Sequence, residues 1–274
     1  MKFFSDFFKA IGNCFKAFAL IFEKGLWPYM FIFLGFWLAL WILSIYGLFI
    51  LADGLSDYLS NYVEFSAIPD TGHWLSFAKP YLIGTFSFLI KILFKLVLWF
   101  TTSTLIKYVL LMILSPVFAL LSEKAEEKLT GKTFPFNFHQ LLKDILRGIA
   151  ISLRNMLLEY FFIVTCFFLS LFFPPLFIIT TPFLLFLGWY YVGFALLDYN
   201  SERHKYGVSK SIKFIKENRG TACGIGFVYS FFMALPFFPG SIVGIMFGPS
   251  VGVVGSTISF LQINKIDIIE VKKE

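Results

Sequence analysis

The stretch from Tyr81 to Leu114 constrains this chain more than any other. It reads YLIGTFSFLIKILFKLVLWFTTSTLIKYVLLMIL, 34 residues that are apolar apart from Lys91, Lys95 and Lys107 and a few hydroxyls. As a helix it would be roughly 51 Å long at 1.5 Å per residue. The hydrocarbon core of a bilayer is about 30 Å thick, so such a helix spans the membrane and tilts or projects beyond it. Pro116 then interrupts the hydrogen-bond ladder and biases Ser115 away from the α region, which predicts a turn at Ser115–Pro116. The charged, helix-patterned run VFALLSEKAEEKLTG after it is expected at the membrane face.

Composition settles the class. The chain is 58% hydrophobic and 15% charged, with mean hydropathy +0.79; soluble domains lie near 45–50% apolar and about 25% charged. An integral membrane protein follows, and nothing suggests a nucleic-acid partner. Cys14, Cys166 and Cys223 are far apart and match no metal-ligand or CxxC spacing, so buried thiols without a disulfide are expected. The N-terminal region lacks the uninterrupted apolar core and small-residue site of a cleavable signal peptide.

Residues 2–24 place Phe3, Phe4, Phe7, Phe8, Ile11, Phe15, Phe18 and Phe22 at spacings of three and four. Lys2, Asp6, Lys9, Asn13 and Lys16 fall largely on the opposite face, the pattern of a helix lying in the membrane interface. Gly25 ends this helix and Pro28 opens the next, which spans over 28–52. Residues 53–75 carry Asp53, Asp57, Glu64 and Asp70 without Lys or Arg, whereas later connections are basic. The positive-inside tendency puts that loop outside and both termini in the cytoplasm. Lys91 and Lys95 either snorkel to the outer interface or line a pathway.

Two uncharged blocks come next, 160–197 broken at Pro174-Pro175 and at Thr180-Thr181-Pro182, and 220–264 broken at Pro236 to Gly240. Their first arms, 160–173 and 220–235, fall below the ~20 residues a span needs, so partly inserted hairpins are expected, with full spans as the rival. The shared plan, about sixty residues apart, hints at an internal repeat.

Catalytic signatures are poor: HExxH, GxSxG and Walker-type loops are absent, and His73, His139 and His204 are scattered. No enzyme activity, cofactor or metal is expected. Gly240, Gly244, Gly248 and Gly252 recur every fourth residue and make either a packing ridge or a set of exposed amides for an anion. Glu123, Glu126, Glu127, Lys128, Arg147, Arg154, Glu159, Asp198, Arg203 and Lys205 are the charged candidates. Glu159 and Asp198 stand out because each borders a long apolar run, where an unpaired carboxylate is expensive.

Residues 115–131, SPVFALLSEKAEEKLTG, residues 198–205, DYNSERHK, and the tail from Pro239 to Thr257 together resemble the CysZ family of bacterial sulfate permeases, related to the etoposide-induced membrane protein family. The order and spacing agree from about residue 10 to residue 265. The resemblance implies one all-α membrane domain over 1–274, with an interfacial helix at 2–24, spanning helices at 28–52 and 81–114, and re-entrant hairpins at 160–197 and 220–264. It further implies a homo-oligomer in the inner membrane that feeds sulfate to cysteine synthesis. The family's Gly-Leu-Arg oxyanion segment departs here, because Gly25-Leu26 is followed by Trp27. Lys24, Gly25 and Leu26 are therefore the expected anion-binding group at the entry point. Glu123, Lys128, Asp198, His204 and Lys205 form the expected charge network at the inner exit. A non-transporting membrane scaffold on the same fold is the alternative function.

Overall fold

The computed structural model describes residues 2–36, 38–39, 42–43, 46, 105, 107–109, 111–133, 138–235 and 238–268. The 53–75 loop, most of 81–114 with Lys91 and Lys95, and the break at 236–237 lie outside the described residues. The chain divides into one unit of residues 1–37 and 108–274 and another of 38–107, which falls almost wholly outside the described residues.

The described elements of the first unit are all helical: α1 (Lys2–Glu23), α2 (Pro28–Phe36), α3 (Lys107–Ile113), α4 (Ser115–Thr130), α5 (Phe138–Phe172), α6 (Phe177–Arg203), α7 (Val208–Glu217), α8 (Arg219–Met233) and α9 (Phe238–Ile263). The fold class is thus an all-α membrane protein.

The two faces of α1 divide by side-chain size. Ala10, Cys14, Ala17 and Ile21 are buried, whereas Phe4, Phe8, Phe15 and Phe22 are exposed. Small residues let α8 and α9 approach closely, and the phenylalanines point away from the protein, as lipid contact requires. Asn13, expected on the polar face, is instead buried and donates to Ser259 Oγ at 3.0 Å and to Gln262 Oε1 at 2.9 Å. Gly25 takes φ +71°, and the Gly25 and Leu26 amides donate back to the Phe22 and Ile21 carbonyls at 3.4 and 2.8 Å. This Schellman closure ends α1 and swings α2 away at 107°.

The chain turns at Leu114 and Pro116 sits in the first turn of α4, where its missing N–H removes no bond. At the far end Gly131 adopts φ 69° and donates to the Glu127 carbonyl at 2.9 Å.

The hairpin arms differ in length from their expected bounds. Helix α5 runs unbroken through residue 160, and Pro182 lies inside α6 rather than breaking it. Around the Pro174–Leu176 turn, Ile145–Ser170 and Ile178–Arg203 are each 26 residues and apolar enough to cross a membrane. In the second hairpin α8 has only 15 residues, whereas Ile242–Ile263 in α9 is long enough to cross.

Helices α6 and α8 meet backbone to backbone. A Cβ at Gly193 would lie 1.8 Å from the Ala222 carbonyl oxygen, and one at Gly226 would lie 1.8 Å from that of Trp189. Along α9, Gly244 abuts the Phe232 carbonyl and Gly252 the Leu196 side chain, so the fourfold glycine row is a packing ridge.

Candidate functional site

The charged side chains gather where α4, α5, α6 and α7 converge. Asp198 and Glu202 are one turn apart on α6, and both are buried. Across from them on α5, Arg147 donates from Nη2 to Asp198 Oδ1 at 2.9 Å and from Nε to Asp198 Oδ2 at 3.3 Å. Its Nε lies 3.6 Å from Glu202 Oε1, and Nη1 donates to the Tyr206 carbonyl at 2.5 Å. Helix α7 buries Ser211 so that its hydroxyl donates to Asp198 Oδ1. The carboxylate thus receives a two-nitrogen guanidinium contact and a hydroxyl, the satisfaction a buried charge demands.

A second cluster sits between α4 and the end of α6. Glu126 is 1% exposed, with Arg203 Nη1 at 2.6 Å and His204 Nε2 at 2.9 Å. Burial pushes the Glu126 carboxyl up, but the His204 hydrogen bond and the Arg203 charge together hold it below the usual glutamate range. Arg203 also donates to the Ser122 carbonyl at 2.8 Å and to its hydroxyl. Ser122 donates to Asn200 Oδ1 at 3.0 Å, and Asn200 Nδ2 donates to Ser256 Oγ at 3.0 Å, tying Arg203 to α9.

Further along α5, Glu159 is buried and accepts the Tyr108 hydroxyl at 2.5 Å. Gly188 on α6 faces the same carboxylate, and Gly148 packs against Ser115 and Tyr199. These contacts set α5 antiparallel both to α6 and to the α3–α4 segment.

Of the expected inner network, the structure brings Asp198 and His204 into these two clusters. Glu123 is half-buried, and Lys128 and Lys205 are exposed. Lys205 serves the chain through its backbone: it takes φ 58° and closes α6, its amide donating to the Glu202 carbonyl at 2.7 Å. At the expected entry group Leu26 is buried and Lys24 half-buried, while the amides of Gly25 and Leu26 are engaged in capping α1. Trp27 beside them is 49% exposed. The cations that matter most are Arg147 and Arg203, which nothing local in the sequence separates from the other charged candidates. For Glu126 a signal exists, since it shares a helical face with Phe118, Ser122 and Leu129, all buried.

A family described as Sulfate transporter CysZ/Etoposide-induced protein 2.4 matches residues 13–239, which takes in both charge clusters on α4 to α7. The similar tail at 239–257 lies essentially beyond that match. No curated protein matches the chain.

Proposed function

Because this chain belongs to the family of the sulfate transporter CysZ and etoposide-induced protein 2.4, we propose that it passes sulfate or a related oxyanion across the bacterial inner membrane for cysteine synthesis. Both termini lie in the cytoplasm, and the working form is a homo-oligomer. The observation that carries this reading is the buried Arg147–Asp198 pair at one end of two membrane-length helices. An oxyanion offers a guanidinium the same two-oxygen face as a carboxylate, so it competes with Asp198 for Arg147. The resting pair therefore acts as a closed gate that an arriving anion opens by exchange. Arg203 on Glu126 forms a second guanidinium–carboxylate pair of the same kind, with His204 hydrogen-bonded to the same carboxylate. Lys24 is the remaining charge at the entry point.

Radiolabelled sulfate uptake into liposomes containing the purified protein tests this. Saturable flux that is lost in Arg147→Ala protein of unchanged oligomeric state is the expected result. A membrane scaffold is the second reading, favoured by Trp27 in place of arginine and by the engaged Gly25 and Leu26 amides. Absence of oxyanion flux in folded protein would establish it instead.

A further inference from the structure

Between the Tyr108–Glu159 contact and the Ser115–Gly148 contact, one face of α5 carries Ser152 and Asn155. They come after Gly148 at spacings of four and seven, so they share its face and run toward Glu159. The residues of α6 across this stretch, between Gly188 and Tyr199, include the buried and apolar Val192 and Ala195. Asn155 is wholly buried, and Ser115 and Ser152 are each 1% exposed. Yet Ser115 Oγ, Ser152 Oγ and Asn155 Nδ2 have no hydrogen-bond partner among the described residues. Asn155 Oδ1 accepts from Arg154 Nη1 at 3.1 Å, which leaves the amide's NH2 as the unsatisfied end.

Three orphaned polar atoms in one row are unusual. Buried polar groups nearly always find partners, because each forfeits its hydration otherwise, and a purely packing interface would carry alanine or leucine here. Two hydroxyls and an NH2 group can all donate, and the Arg154 guanidinium meets the row at Asn155 Oδ1. The Glu159 carboxylate, held by Tyr108, bounds it at one end. A donor-rich row beside a guanidinium suits a ligand that only accepts hydrogen bonds and carries negative charge.

We propose that Ser115, Ser152 and Asn155 form the intramembrane resting site of the transported oxyanion, reached when the Ser115–Gly148 contact parts. This rests on the transport reading for the ligand's identity but not for the seam's opening, and the two are tested separately. In liposomes, Ser152→Ala/Asn155→Ala protein should pass sulfate on the order of tenfold more slowly, since two donors are lost. The thermal midpoint of Ser152→Ala protein, which loses only an orphaned hydroxyl, should stay level or rise. Unchanged flux overturns the proposal, and so does a lowered midpoint accompanied by lost flux. The second measurement needs no transport. In a Cys14→Ala/Cys166→Ala/Cys223→Ala background, the Asn155→Cys thiol should react with anionic sulfonatoethyl methanethiosulfonate, and sodium sulfate should slow that reaction. No reaction, or reaction indifferent to sulfate, overturns the site. Sulfate protection without wild-type flux would overturn transport alone and leave the binding site standing.

Discussion

Arg147 on α5 grips Asp198 on α6 through two nitrogens, at 2.9 and 3.3 Å, with the carboxylate side chain only 3% exposed. A fork contact this deeply placed links the ends of two membrane-length helices to α7 through Ser211. Its loss is felt as a poorly compensated buried charge rather than as one weak surface bond.

Replacing Asp198 with Ala leaves the guanidinium only the more distant Glu202 carboxylate and the Tyr206 carbonyl, and should cost about 3 kcal/mol. Fluorescence-detected gel filtration after heating should show a clearly lowered midpoint. The Arg147→Met/Asp198→Leu double variant removes both charges and should recover most of that loss. If the double variant is no more stable than the single one, the pair is not what holds α5 to α6.

Gly226→Ala should be among the most damaging single-methyl changes in the chain. The added Cβ would fall 1.8 Å from the Trp189 carbonyl oxygen, and neither backbone can yield cheaply. A loss of about 1–3 kcal/mol or more is expected by heating assays. Gly207→Ala, where a Cβ meets nothing within 4 Å, is the control and should be near neutral.

Acid should loosen the α4–α6 junction. The Glu126 carboxyl titrates lower when folded than when unfolded, so its stabilising contribution is complete above the ordinary glutamate value, about 4.3. That contribution is lost as pH falls through the lower folded value. Melting midpoints followed from neutral pH to acid should drop more steeply for the wild type than for Glu126→Gln. Parallel curves would show that Glu126 is not the responsible group.

Lys24→Gln should leave expression and folding intact, since the side chain is only half-buried beside the α1 cap. A partly screened charge contact predicts a half-saturating sulfate concentration about two- to fivefold higher, with little change in maximal flux. Asp198→Asn, acting at the proposed gate, should change maximal flux more than half-saturation. Liposome uptake across a range of sulfate concentrations separates the two effects.

Single-cysteine labelling of intact cells with an impermeant reagent tests the topology. Position 61 should react, and positions 124, 205 and 270 should not. With 26-residue arms on either side, the Pro174–Leu176 turn should also react from outside. Protection there would support the partial insertion expected from residues 160–197 alone.

The all-helical membrane class is legible from apolar run length, and so is the outward stripe of phenylalanines on α1. Which face of α1 the protein buries is not, because size rather than hydrophobicity decides it: Ala10, Cys14 and Ala17 admit neighbours that Phe15 would hold away. The arms of the first hairpin look short in the sequence because charge ordinarily ends a span. Arg147, Arg154 and Glu159 instead sit within α5, each held by a partner or an aromatic ring: Asp198, Phe194 and Tyr108. Asp198 is recognisable from the apolar run it borders, but Arg147 lies 51 residues away, and no local pattern joins them. The Gly25-Leu26 amides look available for an anion because sequence shows a helix start there and cannot show the Schellman bonds that occupy them.

The glycine contact between α6 and α8 has a mechanical consequence. Where Gly193 and Gly226 each receive a carbonyl of the neighbouring helix, the two backbones interlock like a key in its ward. Sliding either helix by one residue would drive a side chain into a carbonyl oxygen. The pair therefore behaves as a single stiff plank, with α1 and α9 fastened to it through their own small residues. A rearrangement of these helices would fall more easily to α5, while the plank stays still: a Cβ at Gly148 would meet Tyr199, and one at Gly188 of α6 would meet Glu159, at an ordinary contact distance of 3.5 Å.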